Sequence, residues 1–405
     1  MKKVIVIGGG ASGLMAACTA ASAGKNVILL EQNEKLGKKI YITGKGRCNL
    51  TNDCSPDEFL AHVVRGEKFL TRSAYRFSSA DTMAFFKQHG LPLKVERGNR
   101  VFPVTDHASD VTKTLERACR NAGAEIRLNE KVLSVRQKNG AVCTVRTAKA
   151  IYECDAVIVA TGGLSYPSTG ATGDGYRFAQ ESGHSMVPTV PSLVGIELAE
   201  DVAPAQGISL KNAVLTARRS GKVIFSQLGE LLFTHYGISG PLVLTLSARI
   251  NRIPLDEIGL TIDFKPALDE KMLNERILRD FAERKNEQMK NVMRGLLPTG
   301  LTKIVLHVAS VSETKQANTV TKEERKRIVG VLKAFSLEPV RLRGFTEAVI
   351  TSGGVDVREI DPATMQSRRV KGLFFCGEVL DCDAYTGGFN LQIAFSTGYI
   401  AGLNA

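Results

Sequence analysis

Between Lys3 and Glu31 the chain reads KVIVIGGGASGLMAACTAASAGKNVILLE. The β-branched run Val4, Ile5, Val6 and Ile7 has the composition of a strand buried in a parallel sheet. It leads directly into Gly8-Gly9-Gly10-Ala11-Ser12-Gly13, a G-x-G-x-x-G. Ala-rich helical sequence follows, and a second apolar run, Val27 to Leu30, ends in Glu31. Gly8 allows the tight turn out of the strand, Gly10 lets backbone approach a pyrophosphate, and Gly13 lets helix and strand pack closely. The free N–H groups and positive end of the helix then face the phosphates. Glu31 stands where an acid accepts hydrogen bonds from a ribose. The stretch predicts a dinucleotide-binding βαβ unit, without choosing between NAD and FAD.

Lys2-Lys3, the uncharged run to Lys25 and the small residues Ala20 to Ala23 imitate a secretory signal. Three glycines interrupt the segment that a signal requires to be apolar, and Glu31 would have no purpose in one. The 405 residues suit about two or three domains. No later apolar run is long enough to cross a bilayer. None of the 8 cysteines forms a C-x-x-C, and no histidine cluster joins them, so no metal site is expected. A reduced, cytoplasmic protein without disulfides is the expectation. The formal net charge of +12 is compatible with nucleic acid, an anionic cofactor or an acidic substrate.

Along the chain, Gln32 to Asn52 is basic and Gly-rich. Gly44 and Gly46 flank Lys45 and precede Arg47 and Asn49, a concentration of donors suited to wrapping an anion. Asp57 to Gly90 reads as helices. His107 to Asn121 is an amphipathic helix, with Val111, Leu115, Ala118 and Cys119 on one face. Glu125–Leu128, Val132–Gln137, Val142–Thr147 and Ala150–Cys154 read as a small antiparallel meander with a turn at Lys138-Asn139-Gly140. Asp155 to Gly163 is a buried strand ending in A-T-G-G. The Gly-rich Ser168–Gly175 follows it and opens a helix over Tyr176–Ser182.

Pro188, Pro191 and Gly195 mark a boundary. Beyond it, Val214–Ala217 and Val223–Ser226 form a hairpin through Ser220-Gly221, with further strands at Leu231–Thr234 and Leu260–Phe264. A basic helix carries Leu273, Ile277 and Phe281 four apart. Thr321 with Glu324 is a capping box opening a helix to about Phe335. From Arg343 the chain returns to β and Gly-rich sequence. The strand Gly372–Glu378 ends in an acid, and Asp381 to Asn390 leads into a helix over Leu391–Leu403.

Two Gly-rich helix starts far apart in sequence suit a ligand longer than one nucleotide, and FAD fits. The opening motif, A-T-G-G and the terminal acid-plus-helix resemble the two-dinucleotide-binding-domain flavoproteins. More narrowly, the chain resembles the HI0933-like flavoproteins, also called the BaiN-like or YhiN family. The residues that carry this are Gly37–Asn52, Arg100–Val111, Ala160–Tyr176, Gly229–Leu244, Thr351–Val355 and Phe375–Tyr399. The resemblance implies an α/β fold: a Rossmann-like FAD-binding domain interrupted by a β-barrel-like domain that carries a helical insertion. The corresponding boundaries are 1–190 and 351–405 for the FAD domain, 191–265 and 338–350 for the β domain, and 266–337 for the insertion.

Carried over by position, the resemblance places the pyrophosphate on Gly8, Gly10, Ala11 and Gly13, and the adenosine ribose on Glu31. Lys38, Lys39, Gly46, Arg47, Cys48 and Asn49 would line the phosphate and ribityl side, and Val132 would face the adenine. Thr161, Gly162 and Gly163 would close over the adenosine half. Glu378, Gly388, Asn390 and Leu391 would approach the ribityl chain and ring, where a helix dipole stabilises negative charge. The activity implied is reduction of a carbon–carbon double bond conjugated to a ketone, in a 3-oxo bile-acid or steroid-like small molecule. NADH or NADPH would bind transiently as electron donor. His235, in Phe233–Gly237, is the candidate proton donor, with Tyr166 second.

Two other readings compete. Cys48 and Cys54 lie near where flavin disulfide reductases place a redox cysteine pair, though five residues intervene where that pattern has four. The basic insertion, with Arg276, Arg279, Arg284, Lys285 and Lys326, suggests an RNA-binding flavoprotein related to tRNA modification. Acids such as Glu275, Asp280 and Glu283 interleave with these bases, a pattern of solvated helices, and few aromatics are present for base stacking.

Overall fold

The computed structural model describes residues 1–405. It divides into two compact units, Met1–Ser192 with Phe345–Ala405, and Leu193–Gly344.

In the first unit the opening stretch forms β1 (Lys3–Ile7), α1 (Ala11–Ser22) and β2 (Asn26–Leu30). β1 and β2 pair in parallel from Lys3↔Asn26 to Ile7↔Leu30. Helix α1 is buried almost throughout, which explains its alanines: a larger side chain would hold neighbouring elements away. A short helix α2 (Lys38–Ile42) follows. The span expected to be all helix contains helices at Pro56–Ala61, Glu67–Arg76 and Ser79–Gln88, with a small strand β3 (Val63–Arg65) between the first two. α3 (Ala108–Asn121) buries Val111, Leu115, Ala118 and Cys119, the face its spacing predicts.

β4 (Glu125–Arg127) departs from expectation. It joins the parallel sheet beside β2, with Leu29 opposite Ile126, and leaves three antiparallel strands (Val132–Lys138, Ala141–Thr147, Ile151–Glu153) to form the meander. β5 (Ala156–Val159) runs parallel to β1 on its other side. α4 (Asp174–Glu181) leads to β6 (Met186–Ser192). Pro188 and Pro191, read as marking a boundary, lie inside β6. The strand tolerates them because it has one pairing partner and its register shifts between Val187 and Val190.

The second unit holds a seven-stranded sheet. Its strands begin with β7 (Ile196–Leu198), β8 (Ser209–Arg219), β9 (Lys222–Phe233) and β10 (Gly237–Ser239). β8 and β9 meet at Ser220 and Gly221, both at positive φ (48° and 78°), as a two-residue hairpin turn demands. The separate strand expected at Leu231–Thr234 is the far end of β9. α5 (Pro241–Ile250) was not foreseen. After β11 (Ile258–Asp263) come α6 (Glu270–Glu283), α7 (Thr299–Val308) and α8 (Lys322–Lys333), then β12 (Phe335–Leu337) and β13 (Pro339–Leu342). α6 buries Leu273, Ile277 and Phe281, and α8 opens on the Thr321–Glu324 capping box. The sheet order is β12-β11-β8-β9-β10-β7-β13. Its two edge strands are separated in the chain by Glu338 alone, so the sheet has curled until its edges meet.

The chain then returns to the first unit through β14 (Ile350–Val355), which pairs with β6, and β15 (Leu373–Phe375), which completes the parallel sheet in the order β15-β5-β1-β2-β4. A two-residue strand β16 (Asp383–Ala384) pairs with β3, and α9 (Phe389–Asn404) closes the chain. α9 lies on α1, with Gly398 and Gly402 against the backbone of Ser12 and Ala16.

Candidate cofactor site

A cavity opens at the carboxyl ends of β1, β2 and β5, the position a doubly wound sheet reserves for ligands. It is lined by Gly8, Gly10, Ala11, Glu31, Lys38, Lys39, Val132, Thr161, Gly162, Glu378, Asn390 and Leu391, and also by Gln32, Asn33, Glu130, Gly170 and Asp174. All of these belong to the first unit.

The three motif glycines have separate reasons. A Cβ at Gly8 (φ +105°) would lie 2.5 Å from the Ala160 carbonyl oxygen, and one at Gly13 would lie 1.9 Å from the Gly8 carbonyl oxygen. Both glycines are required by the protein's own packing. A Cβ at Gly10 would meet no protein atom within 4 Å. Gly10 faces the cavity and is also the N-cap of α1, with no side chain capping the helix. What its missing side chain leaves room for is a ligand. Thr161 also lines the cavity, but its hydroxyl is buried on the side of Gly175, where an added Cβ would lie 2.1 Å from it. An uncapped helix start and a glycine open to the cavity fit a pyrophosphate-bridged dinucleotide.

Glu31 is buried, and its carboxylate is already engaged. Oε2 accepts from the Gly9 amide at 2.7 Å; Oε1 accepts from the Asn33 amide at 2.8 Å and its side-chain nitrogen at 2.7 Å. It therefore braces the glycine turn from behind, and ribose binding would use its remaining lone pairs. Lys39 pairs with Glu378 at 2.6 Å, and Glu378 also accepts from the Thr351 amide at 2.9 Å. The Thr351 hydroxyl in turn accepts from the Leu164 amide at 2.8 Å, tying the A-T-G-G loop to β14. Asn390 clamps β16, accepting from the Ala384 amide at 2.9 Å and donating to its carbonyl at 2.8 Å.

Several expected contacts lie elsewhere. Arg47 points away from the cavity: it pairs with Glu96 and Asp106 and stacks 4.3 Å over the Phe102 ring. Gly46 accepts from the Ala108 amide, and neither it nor Asn49 lines the cavity. Cys48 is fully buried at φ +59°, and burial pushes its thiol up to about 12. A thiol so reluctant to ionise is unsuited to disulfide exchange. Gly13, Gly163 and Gly388 shape the walls from behind. A Cβ at Gly163 would lie 2.5 Å from the Thr351 hydroxyl, and one at Gly388 would lie 2.4 Å from the Thr51 carbonyl. His235 is exposed in the turn between β9 and β10 of the second unit, edge-on to Tyr236 at 5.1 Å. Tyr166 is half-buried at φ +53°, a conformation rare for tyrosine.

Sequence reasoning included Gln32 and Asn33 only within the anion-wrapping stretch, naming neither as a site residue, and missed Glu130. Gln32 and Asn33 donate to the carbonyls of Gly170 and Thr169 at 2.7 and 3.1 Å, closing the second Gly-rich segment over the cavity. The signal was available: a polar pair directly after the ribose acid, and a Gly-rich loop with no other assigned purpose.

Fold and site together define an FAD-binding Rossmann-type oxidoreductase. The chain belongs to the HI0933-like family, whose Rossmann-domain model matches residues 2–404. It is 32% identical over 410 residues to the 3-dehydro-bile acid delta(4,6)-reductase of Clostridium scindens, covering 99% of this chain and 98% of that one. It is also 32% identical over 409 residues to the ribosomal RNA dihydrouridine synthase of Haemophilus influenzae, covering 99% and 97%. Among solved structures, the 3-ketosteroid-delta4-(5alpha)-dehydrogenase of Rhodococcus jostii shares the fold, with a TM-score of 0.55 at 16% identity over 100% of this chain and 96% of that one. No helix is long and apolar enough to cross a membrane.

Proposed function

We propose that this oxidoreductase uses NADH or NADPH to reduce a carbon–carbon double bond conjugated to a carbonyl, and that its substrate is a uracil base in ribosomal RNA. The two relatives' names describe one chemistry on different scaffolds. A 3-oxo-Δ4 steroid and a uracil each present a C=C whose far carbon accepts hydride because the adjacent carbonyl takes up the charge. FAD, when bound, would supply the hydride. Residues at the starts of α1 and α9, Gly10, Ala11, Asn390 and Leu391, would hold that cofactor, and a proton must reach the carbon beside the carbonyl. His235, exposed at the β9–β10 turn, is our assignment for the proton donor.

The observation we weigh in favour of RNA is the net charge of +12. A steroid acid carries one carboxylate and gives little return on so many cations, whereas each exposed Lys or Arg that meets a phosphate releases a counterion. Arg218, Lys222, Lys271, Arg279, Lys303 and Lys326 of the second unit are all exposed. The interleaved acids that argued against RNA lower this field without cancelling it.

A bile-acid-like enone is the second reading, favoured by full-length similarity to the Clostridium scindens reductase. Both are tested together, anaerobically, with the FAD-loaded protein, NADH or NADPH, and either ribosomal RNA from cells lacking this protein or a 3-oxo-Δ4 bile acid. Dihydrouridine detected by nucleoside mass spectrometry supports the RNA reading. Reduction of the bile acid with no dihydrouridine overturns it, and reduction of neither overturns the reaction class.

A further inference from the structure

Asp383 is a buried carboxyl to which the proposed chemistry assigns no task. It sits in β16, between Cys382 and Asn390, both on the cavity wall, and is fully shielded from solvent. Across the ladder it faces Arg65 of β3. That guanidinium is already taken: its Nε and Nη2 donate to the two oxygens of Asp381, each at 2.8 Å. One cation therefore serves two carboxylates. Asp383 is left with two neutral partners, the Ser352 hydroxyl donating to Oδ1 at 2.9 Å and the Ser192 hydroxyl to Oδ2 at 3.2 Å. Both serines are themselves buried, on the paired strands β14 and β6.

We propose that Asp383 is a redox-linked proton site, taking up a proton when the cofactor in the adjoining cavity is reduced and releasing it on reoxidation. A hydroxyl both donates and accepts, so two serines satisfy an ionised carboxylate and, by rotation, a protonated one. A salt-bridged aspartate could not change state so cheaply. The charged and titratable groups facing Asp383 are Arg65 on β3 and Asp381 and Cys382 beside it; β6 and β14 present the serines. Burial raises the Asp383 carboxyl to about 6, against the pull of the serine bonds and Arg65. The balance is simple. NAD(P)H delivers a hydride to bound FAD and leaves as NAD(P)⁺, so two electrons enter with one proton, and the second proton comes from solvent and rests on Asp383. Asn390 links the site to the cofactor mechanically, because its side chain joins Ala384 of β16 to the first turn of α9.

The inference rests on FAD binding and not on the identity of the substrate. Its test is the midpoint potential of the bound FAD against pH, with dithionite as reductant and no nicotinamide or substrate present. Above about pH 6 the wild-type potential should fall more steeply than that of Asp383→Asn by about 30 mV per pH unit, the value for one additional proton per two electrons. Equal slopes overturn the proposal. Should Asp383→Asn not hold FAD, the infrared difference spectrum of the wild type decides, with aspartate carboxyls isotopically labelled. A label-sensitive carboxylic-acid carbonyl band that grows on reduction supports the assignment, and its absence refutes it.

Discussion

The close crossing of α9 over α1 makes a quantitative prediction. A Cβ added at Gly402 would lie 2.3 Å from the Ala16 carbonyl oxygen and 2.9 Å from the Thr19 Cβ; one at Gly398 would lie 2.4 Å from the Ser12 carbonyl oxygen. A carbon rests against a carbonyl oxygen at about 3.3 Å or more. Each Gly→Ala change therefore forces the two helices about 1 Å apart, since the obstacle is backbone and has no rotamer to change. A gap of that size forfeits a quarter to a half of every dispersion contact along the crossing, each worth ~0.1–0.2 kcal/mol. Over a helix pair the loss is about 2 kcal/mol, within the ~1–3 kcal/mol typical of overpacking. For a unit of this size that lowers the melting temperature by about 4–8 °C. Both helix starts face the cavity, so FAD affinity should fall as well. The double variant should lose less than the sum, because the first alanine has already opened the gap the second needs. Gly330→Ala in α8 is the control. It is exposed, a Cβ there meets nothing, and it should stabilise by about 0.5–1 kcal/mol. Thermal and urea unfolding with fluorescence titration of FAD measures all four. Gly402→Ala melting within a degree of wild type, with unchanged FAD affinity, would refute the reasoning.

Four further outcomes are expected. Cys48→Ser should leave bound FAD reducible, and native Cys48 should resist maleimide at pH 8 while reacting once unfolded; rapid native labelling would contradict its burial. Glu378→Gln leaves Lys39 facing a neutral group and, discounted for the partial exposure of Lys39, should cost about 1–2 kcal/mol; Lys39→Gln/Glu378→Gln should recover most of that in urea titrations, and no recovery would show the pair is not the cause. His184, buried between the Ala179 carbonyl and the Ser367 hydroxyl, is held below its usual 6.5 by burial. The unfolded chain therefore takes the proton first, and this contribution to stability is whole above about 6.5 and drains away as pH falls toward the lowered value. Urea midpoints at pH 7 and pH 5 should differ less in His184→Gln than in wild type. His235→Asn should lower turnover by about 10²–10⁴-fold with unchanged FAD reduction by the nicotinamide, a split that stopped-flow absorbance resolves.

Local signals read well along this chain. The capping box at Thr321, the apolar stripe of α6 and the whole β1–α1–β2 unit depend on neighbours a few residues apart. Nonlocal partnerships read poorly. Arg47 looked like a phosphate ligand because its loop is basic and rich in glycine; Glu96 and Asp106, which claim it, lie 49 and 59 residues on. Glu125–Arg127 is too short to disclose whether it pairs in parallel or antiparallel. α5 is apolar on nearly every side, so it lacks the helical period, and only Pro241 after Gly240 announced it. In the site, the glycines declared themselves through spacing. The prior engagement of Glu31 by the Gly9 and Asn33 amides needed coordinates.

Along the chain, the residues of the curled sheet and its helices interrupt those of the FAD-binding unit, which bears on how the protein is made. β1, β2 and α1 leave the ribosome before the inserted unit, yet the edge strand β15, the Glu378 partner of Lys39 and helix α9 emerge only after every residue of it. The second unit carries its own core and can mature while the first is still half a sheet. FAD cannot be gripped from both sides until Glu378 and α9 have been made. A chain stalled before Leu373 would therefore display an unpaired β5 edge and an uncovered α1, the kind of exposed surface that proteases and chaperones recognise.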